Sequence, residues 1–162
     1  MAMTVNGMIA KTNDETEWSD EDEKSYFAKA REVGNIITGS RTYPLYQEKN
    51  FEEMGNPFVV VLTSKNSGVK SEKLAYANSP QEALEILEKQ GFEKALVAGG
   101  GKTNRSFLKE NLIDEIYLDV EPMIYGEGIS LFNSTNSKLD LELIGQKMLN
   151  KNTIQLHYKV IK

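Results

Sequence analysis

The stretch Ala95-Leu96-Val97-Ala98-Gly99-Gly100-Gly101-Lys102-Thr103 decides how this chain reads, because an apolar run passes directly into three glycines and then into helix-compatible sequence. A buried strand ends there and a helix begins. Glycine lets backbone approach a ligand closely, and the free N–H groups of a helix start favour phosphate. A tight strand-to-helix turn is the plainer use of glycine, but three in a row exceed what such a turn needs. The spacing is not the Gly-x-Gly-x-x-Gly dinucleotide fingerprint, and it falls late in the chain. Two other strand ends carry related chemistry. Gly39-Ser40-Arg41-Thr42 follows the run Asn35 to Thr38, and Arg41 offers a two-pronged donor for a phosphate, or simply a surface cation after a capped turn. Thr63-Ser64-Lys65 follows Phe58 to Leu62 and adds two hydroxyls and an ammonium. Parallel strands place such ends on one sheet edge, where together they suit a ligand with several phosphates, such as a dinucleotide.

Working outward, short apolar runs at Val33 to Thr38, Phe58 to Leu62, Leu74 to Ala77, Ala95 to Ala98 and Ile116 to Val120 read as buried strands. Helices fall between them. Ser19 and Asp22 have capping-box spacing, with Tyr26, Phe27, Ala30 and Val33 recurring behind them. Ser79, Pro80 and Glu82 open a second helix that Gly91 stops, and a third runs from about Thr103 to Asn111. Near the end, Leu139, Leu141 and Leu143 alternate with polar residues, as do Ile154, Leu156, Tyr158 and Val160, with Asn150 to Asn152 between them. That is an antiparallel hairpin. The expected fold is α/β, one domain over 1–162, with a mixed central sheet of about eight strands, flanking helices and a C-terminal β-hairpin.

Composition narrows the chemistry. The 162 residues carry 19 Lys and Arg against 24 Asp and Glu, a formal net charge of −5, with 40% hydrophobic residues. This is the composition of a folded globular protein. There is no cysteine, so disulfides, thiolate catalysis and iron–sulfur ligation are excluded, and the single His157 cannot build a multi-histidine metal site. The acidic balance and scattered basic residues argue against a nucleic-acid partner. The longest apolar run, Phe58 to Leu62, is about a quarter of a membrane crossing. No membrane partner, no metal and a cytoplasmic location are expected. The seven acids within Asp14 to Glu23 read first as a solvated loop and helix start.

In order along the chain, Thr4-Val5-Asn6-Gly7-Met8-Ile9-Ala10, Trp18-Ser19, Gly39-Ser40-Arg41-Thr42-Tyr43, Val97-Ala98-Gly99-Gly100-Gly101, Leu112-Ile113-Asp114-Glu115-Ile116 and the stretch from Pro122 through Gly126 and Gly128 to Phe132 resemble the dihydrofolate reductase-like superfamily. The resemblance is greatest to the reductase domain of riboflavin biosynthesis, the RibD C-terminal domain. It implies a reductase that uses NADPH to transfer hydride to a pyrimidine or pterin-like small molecule, with a riboflavin-pathway 5′-phosphate first and dihydrofolate second, and it implies a homodimer.

Carried over residue by residue, the resemblance sets Gly39, Ser40, Arg41 and Thr42, with Thr63, Ser64 and Lys65, at the adenosine 2′-phosphate and pyrophosphate. Gly99 and Gly100 resemble paired glycines joined by a cis peptide, and Gly101, Lys102 and Thr103 follow at the cofactor-facing helix start. Ile9, Ala10 and Trp18 fall along the loop over nicotinamide and substrate. Met1 and Ala2 fall at cofactor-contacting positions of a first strand that is longer in most relatives. Trp18, Glu23, Phe27 and Asn104 are the implied substrate contacts. Glu23 is the first candidate acid, by ungapped counting back from Gly39 and because it precedes Phe27 by four residues and Ala30 by seven. Asp22 is the alternative, and either acid could instead belong to the solvated run. Three departures disfavour folate itself: Gly55-Asn56-Pro57 lacks the arginine that grips a glutamate tail, Asp119 replaces a relaying threonine, and Asn104 replaces a tyrosine near the hydride. The last two, together with the short first strand, also raise a second reading, a nucleotide-binding module without turnover.

Overall fold

The computed structural model describes residues 1–65, 67–133, 136 and 138–162. Two short strands, β1 (Ala2–Thr4) and β2 (Met8–Ala10), flank a turn at Gly7. The acidic segment then starts α1 (Asp20–Val33), whose cap is Ser19: its Oγ accepts the N–H of Asp22. The expected strand from Val33 begins later, because Val33 is the last residue of α1. Gly34 turns the chain with φ of 76° and donates its N–H to Ala30 O, and β3 is Asn35–Gly39.

A single 3-10 turn (Tyr43–Leu45) and α2 (Glu48–Glu53) lead into β4 (Phe58–Leu62). Then follow β5 (Gly68–Ser71), β6 (Leu74–Ala77) and α3 (Pro80–Lys89), the last opened by Ser79 and Pro80 as the sequence requires. The glycine-rich segment forms β7 (Val97–Gly99) and α4 (Gly101–Lys109), with a cis peptide between Gly99 and Gly100. The chain closes with β8 (Glu115–Glu121), β9 (Ile129–Ser130) and the hairpin β10 (Asp140–Met148) and β11 (Ile154–Ile161).

Among the described residues these strands are hydrogen-bonded as three ladders rather than one. The first runs β5-β6-β4-β3-β7, parallel except for β5; the second runs β1-β8-β11-β10, with β1 parallel to β8; β2 pairs with β9. The two larger ladders meet where the Met1 side chain lies against Gly99. Helices cover both faces of the five-stranded ladder. Ile37, Val60, Ala75, Leu87 and Phe107 form the core on the α3 and α4 side, and Phe27, Ala30, Ile36, Val59 and Val61 form it on the α1 side. The mixed α/β architecture, with its helices on both faces and its terminal hairpin, is the one the sequence implies. Because β3, β4 and β6 are parallel, Gly39, Leu62 and Ala77 end at one edge, and that edge carries the site.

Candidate functional site

A cleft of about 890 Å³ runs along this edge, between the strand ends, the first turns of α1 and α4, and the loop before α1. One end is built for anions. Gly100 caps α4 with no side-chain acceptor, so the first-turn amides are left to other partners, and the Gly100 N–H points to Thr42 Oγ1 at 3.3 Å. Packing demands the bare backbone nearby: a Cβ on Gly39 would stand 2.8 Å from Thr103 Oγ1, and one on Gly101 would stand 2.6 Å from Ser130 O. Ser40, Thr42, Thr63 and Ser64 supply hydroxyls to the same wall. Lys102 and Arg41 supply charge, and the Arg41 guanidinium is paired with Asp14 of the loop before α1. Uncapped amides, hydroxyls and two cations on one wall fit the phosphates of a dinucleotide.

The other end is acidic and aromatic. Trp18 lines the cleft and stacks on Tyr125, with ring centroids 6.1 Å apart. Phe27 and Tyr26 line it as well, the Tyr26 hydroxyl 2.8 Å from that of Tyr46. Asp22 is the buried acid, only 5% exposed, whereas Glu23 is exposed. This corrects the expectation that Glu23 packs inward. The Phe27 and Ala30 stripe faces the five-stranded ladder, but the first turns of α1 also lie against β8 and β11. There Asn150 Nδ2 donates to Glu21 Oε2 and Gln155 Nε2 donates to Ser25 Oγ. That second contact turns Asp22 inward.

Asp22 meets two further carboxyls from β8, Asp119 and Glu121, each 2% exposed. Glu121 is fully answered: Oε1 accepts the Ser19 N–H and Oγ–H at 3.2 and 2.6 Å, and Oε2 accepts Thr153 Oγ1–H at 3.0 Å. Asp119 Oδ1 accepts Gln155 Nε2–H at 2.7 Å. Burial, then the hydrogen bond and charge of Asp119, push the Asp22 carboxyl up from its usual value to about 8. Asp22 Oδ1 is buried without a hydrogen-bond partner. Glu121 and Gln155 went unnoticed in the sequence, although the alternation Asp119, Val120, Glu121 already put two acids on one strand face.

The cleft gathers most of the residues singled out in the sequence. Ala2, Ile9, Ala10, Trp18, Asp22, Glu23 and Phe27 line it, as do Gly39 to Thr42, Thr63, Ser64 and Gly100 to Thr103. Three are not brought in. Asn104 is buried behind the lining, its Oδ1 beside Gly99, and its Nδ2 donates to Leu131 O at 2.8 Å and ties the helix to the segment after β9. Gly99 is buried against Met1, and Lys65 is exposed beyond the wall.

Comparison with known proteins gives a consistent pattern. The family described as RibD C-terminal domain matches residues 1–154. The uncharacterized protein YwjB of Bacillus subtilis strain 168 is 29% identical over 98% of this chain and 94% of its own length. The fold is shared with a Thermotoga maritima diaminohydroxyphosphoribosylaminopyrimidine deaminase/5-amino-6-(5-phosphoribosylamino)uracil reductase, at a TM-score of 0.74 and 17% identity over 99% of this chain and 55% of that one. It is also shared with a dihydrofolate reductase from Enterococcus faecalis complexed with NADP(H), at 0.69 and 20% over 99% and 94%.

Proposed function

This chain belongs to the RibD C-terminal domain family, and from that premise we propose that it is an NADPH-dependent reductase of the riboflavin-biosynthesis type, transferring hydride to a pyrimidine or pterin-like substrate such as a 5-amino-6-(5-phosphoribosylamino)uracil. One observation carries the reading: one cleft is lined both by the uncapped start of α4 and by a buried carboxyl with the aromatic rings of Trp18 and Phe27. The structural relatives support it, one a deaminase/uracil reductase and another a dihydrofolate reductase complexed with NADP(H).

When bound, NADPH supplies the hydride. The chain supplies position and charge. Arg41 exchanges Asp14 for the 2′-phosphate, and the α4 amides with Thr42, Thr63, Ser64 and Lys102 hold the remaining phosphates. Ala2, Ile9 and Ala10 flank the nicotinamide. Trp18 and Phe27 flank the substrate ring, and Asp22 serves as the acid toward the nitrogen of the C=N that takes the hydride, in the ring or at the opened ribose carbon. Glu23, exposed at the rim, is left without a part in the chemistry.

A folate substrate fits less well. The stretch Gly55-Asn56-Pro57 itself carries no arginine before β4, and the cations that stand there, Lys73 and Arg31, donate to the carbonyls of Asn56 and Glu53. A binding module without turnover is the second reading, favoured by Asn104 facing Leu131 instead of the cleft. Single-turnover oxidation of NADPH with candidate pyrimidines separates the two. We also assign the chain as one domain and a cytoplasmic homodimer pairing through β10. No described helix is long and apolar enough to cross a membrane.

The direct test is thermal unfolding with NADPH or NADH in large excess. At about one hundred times its dissociation constant a ligand adds roughly 2.7 kcal/mol, which raises Tm by about 5 to 10 °C for a chain of this size. A rise with NADPH and a smaller one with NADH is expected; no rise with either would overturn the reading.

A further inference from the structure

Asp22 is an acid that the fold hides but does not satisfy. Its backbone N–H is spent on the Ser19 cap, its Oδ1 has no partner, and its carboxyl is buried against that of Asp119, which is 2% exposed. Two carboxyls buried together are held without repulsion only when a proton lies between them. Asp119 is placed for this by the sheet: it pairs with Ala2 on one side and Gln155 on the other, in the middle of the second ladder. Gln155, itself held by Ser25 Oγ, donates to Asp119 Oδ1 and so leaves the other oxygen for Asp22.

We propose that Asp119 is a positioning residue that acts through Asp22, the two carboxyls sharing one proton which the pair delivers to the nitrogen of the substrate C=N; the delivery step rests on the reductase reading above. The pair is distinct from Glu121, whose three donors keep that acid as a fixed acceptor. Asp22, Asp119 and Glu121 do not make a cation site, since no metal-holding group of three such side chains exists among the described residues.

The proton balance is complete. As the C=N of the ring-opened ribosylamine accepts hydride at carbon, its π pair moves to nitrogen, and nitrogen takes the proton of the pair. The substrate gains one hydride, which carries the two electrons, and one proton, and the nucleotide is oxidised by two electrons. Asp22 and Asp119 are left as adjacent carboxylates, whose repulsion draws a proton back from water. Every charged group facing Asp22 bears on this equilibrium. Asp119 and Glu121 on β8 favour the protonated form, the amino terminus of Met1 beside β1 opposes it, and β11 contributes the neutral Gln155.

The test is an infrared titration of the carboxylic acid C=O stretch in the whole, nucleotide-free chain, comparing the parent with Asp22→Asn and Asp119→Asn. The parent is expected to keep one protonated carboxyl at neutral pH, absent in Asp22→Asn. Its midpoint in Asp119→Asn is expected to fall by about one unit or more. Asp119→Ser makes the same measurement should the Asn variant fail to fold. With substrate and NADPH, the alkaline fall of kcat moves to lower pH in Asp119→Asn by the same interval, which a merely structural role would not produce. An unchanged midpoint in Asp119→Asn overturns the shared proton. A pair that titrates as described in a chain binding neither nucleotide overturns the delivery step together with the reductase reading.

Discussion

A single methyl group at Gly101 would meet Ser130 O at 2.6 Å, with Asn133 Cβ and Ile129 Cγ2 at 3.3 and 3.4 Å. Its neighbour is backbone of β9, which cannot move without releasing β2. Gly101→Ala should therefore cost about 1–3 kcal/mol through overpacking, read as a lower denaturation midpoint, and should weaken NADPH binding by displacing the start of α4. At this scale glycines were easy to single out and acids were not. Glycine declares itself by composition alone, but whether Asp22 or Glu23 turns inward depends on what α1 lies against. The spacing to Phe27 and Ala30 describes one contact face; Asp22 answers to a second, formed by β8 and β11 more than ninety residues later.

Among elements, Ser19 ties the start of α1 to β8. Ser19 caps the helix and gives both of its donors to Glu121. Ser19→Ala removes the cap and one donor to a buried carboxylate, so a loss of about 2 kcal/mol is expected, with the fastest rise in amide exchange in the first turn of α1. The strand β10 is an edge, paired with β11 along its inner side and exposed on its outer one. Leu143 is 50% exposed and Met148 56%, with Leu141 and Ile144 also uncovered. Its outer hydrogen-bonding groups can pair with a second β10 about a twofold axis. Leu143→Glu should then shift the assembly from dimer to monomer in sedimentation, with turnover per chain unaffected; a parent chain already monomeric would remove this assignment.

The whole molecule should register the buried acid in its pH dependence. In the unfolded chain Asp22 gives up its proton near 3.8, and in the fold it keeps it until about 8. Between those values the native state holds one more proton than the unfolded state. The stability that Asp22 contributes is thus fully present below about pH 4 and is lost as the pH rises through 8. Asp22→Asn should flatten this slope and raise the thermal midpoint at pH 8 by a few degrees while turnover falls by roughly 10²–10⁴-fold. Urea titrations of both chains at pH 5, 7 and 9 measure it; parallel curves would argue against a raised value.

What the sequence determined by itself was local and periodic: the strands at Phe58 to Leu62 and Leu74 to Ala77, the capped helix at Ser79, the terminal hairpin and the glycine-rich start of α4. Each of these is set by residues within one or two turns of one another, so neighbours suffice to specify it. Tertiary structure alone decided the short pairings of β2 with β9 and β5 with β6, the division of the sheet into ladders, and the meeting of Asp22 with Asp119. A three-residue strand has too little pattern to announce itself. An acid's burial is a property of the surface it meets, and that surface comes from distant parts of the chain.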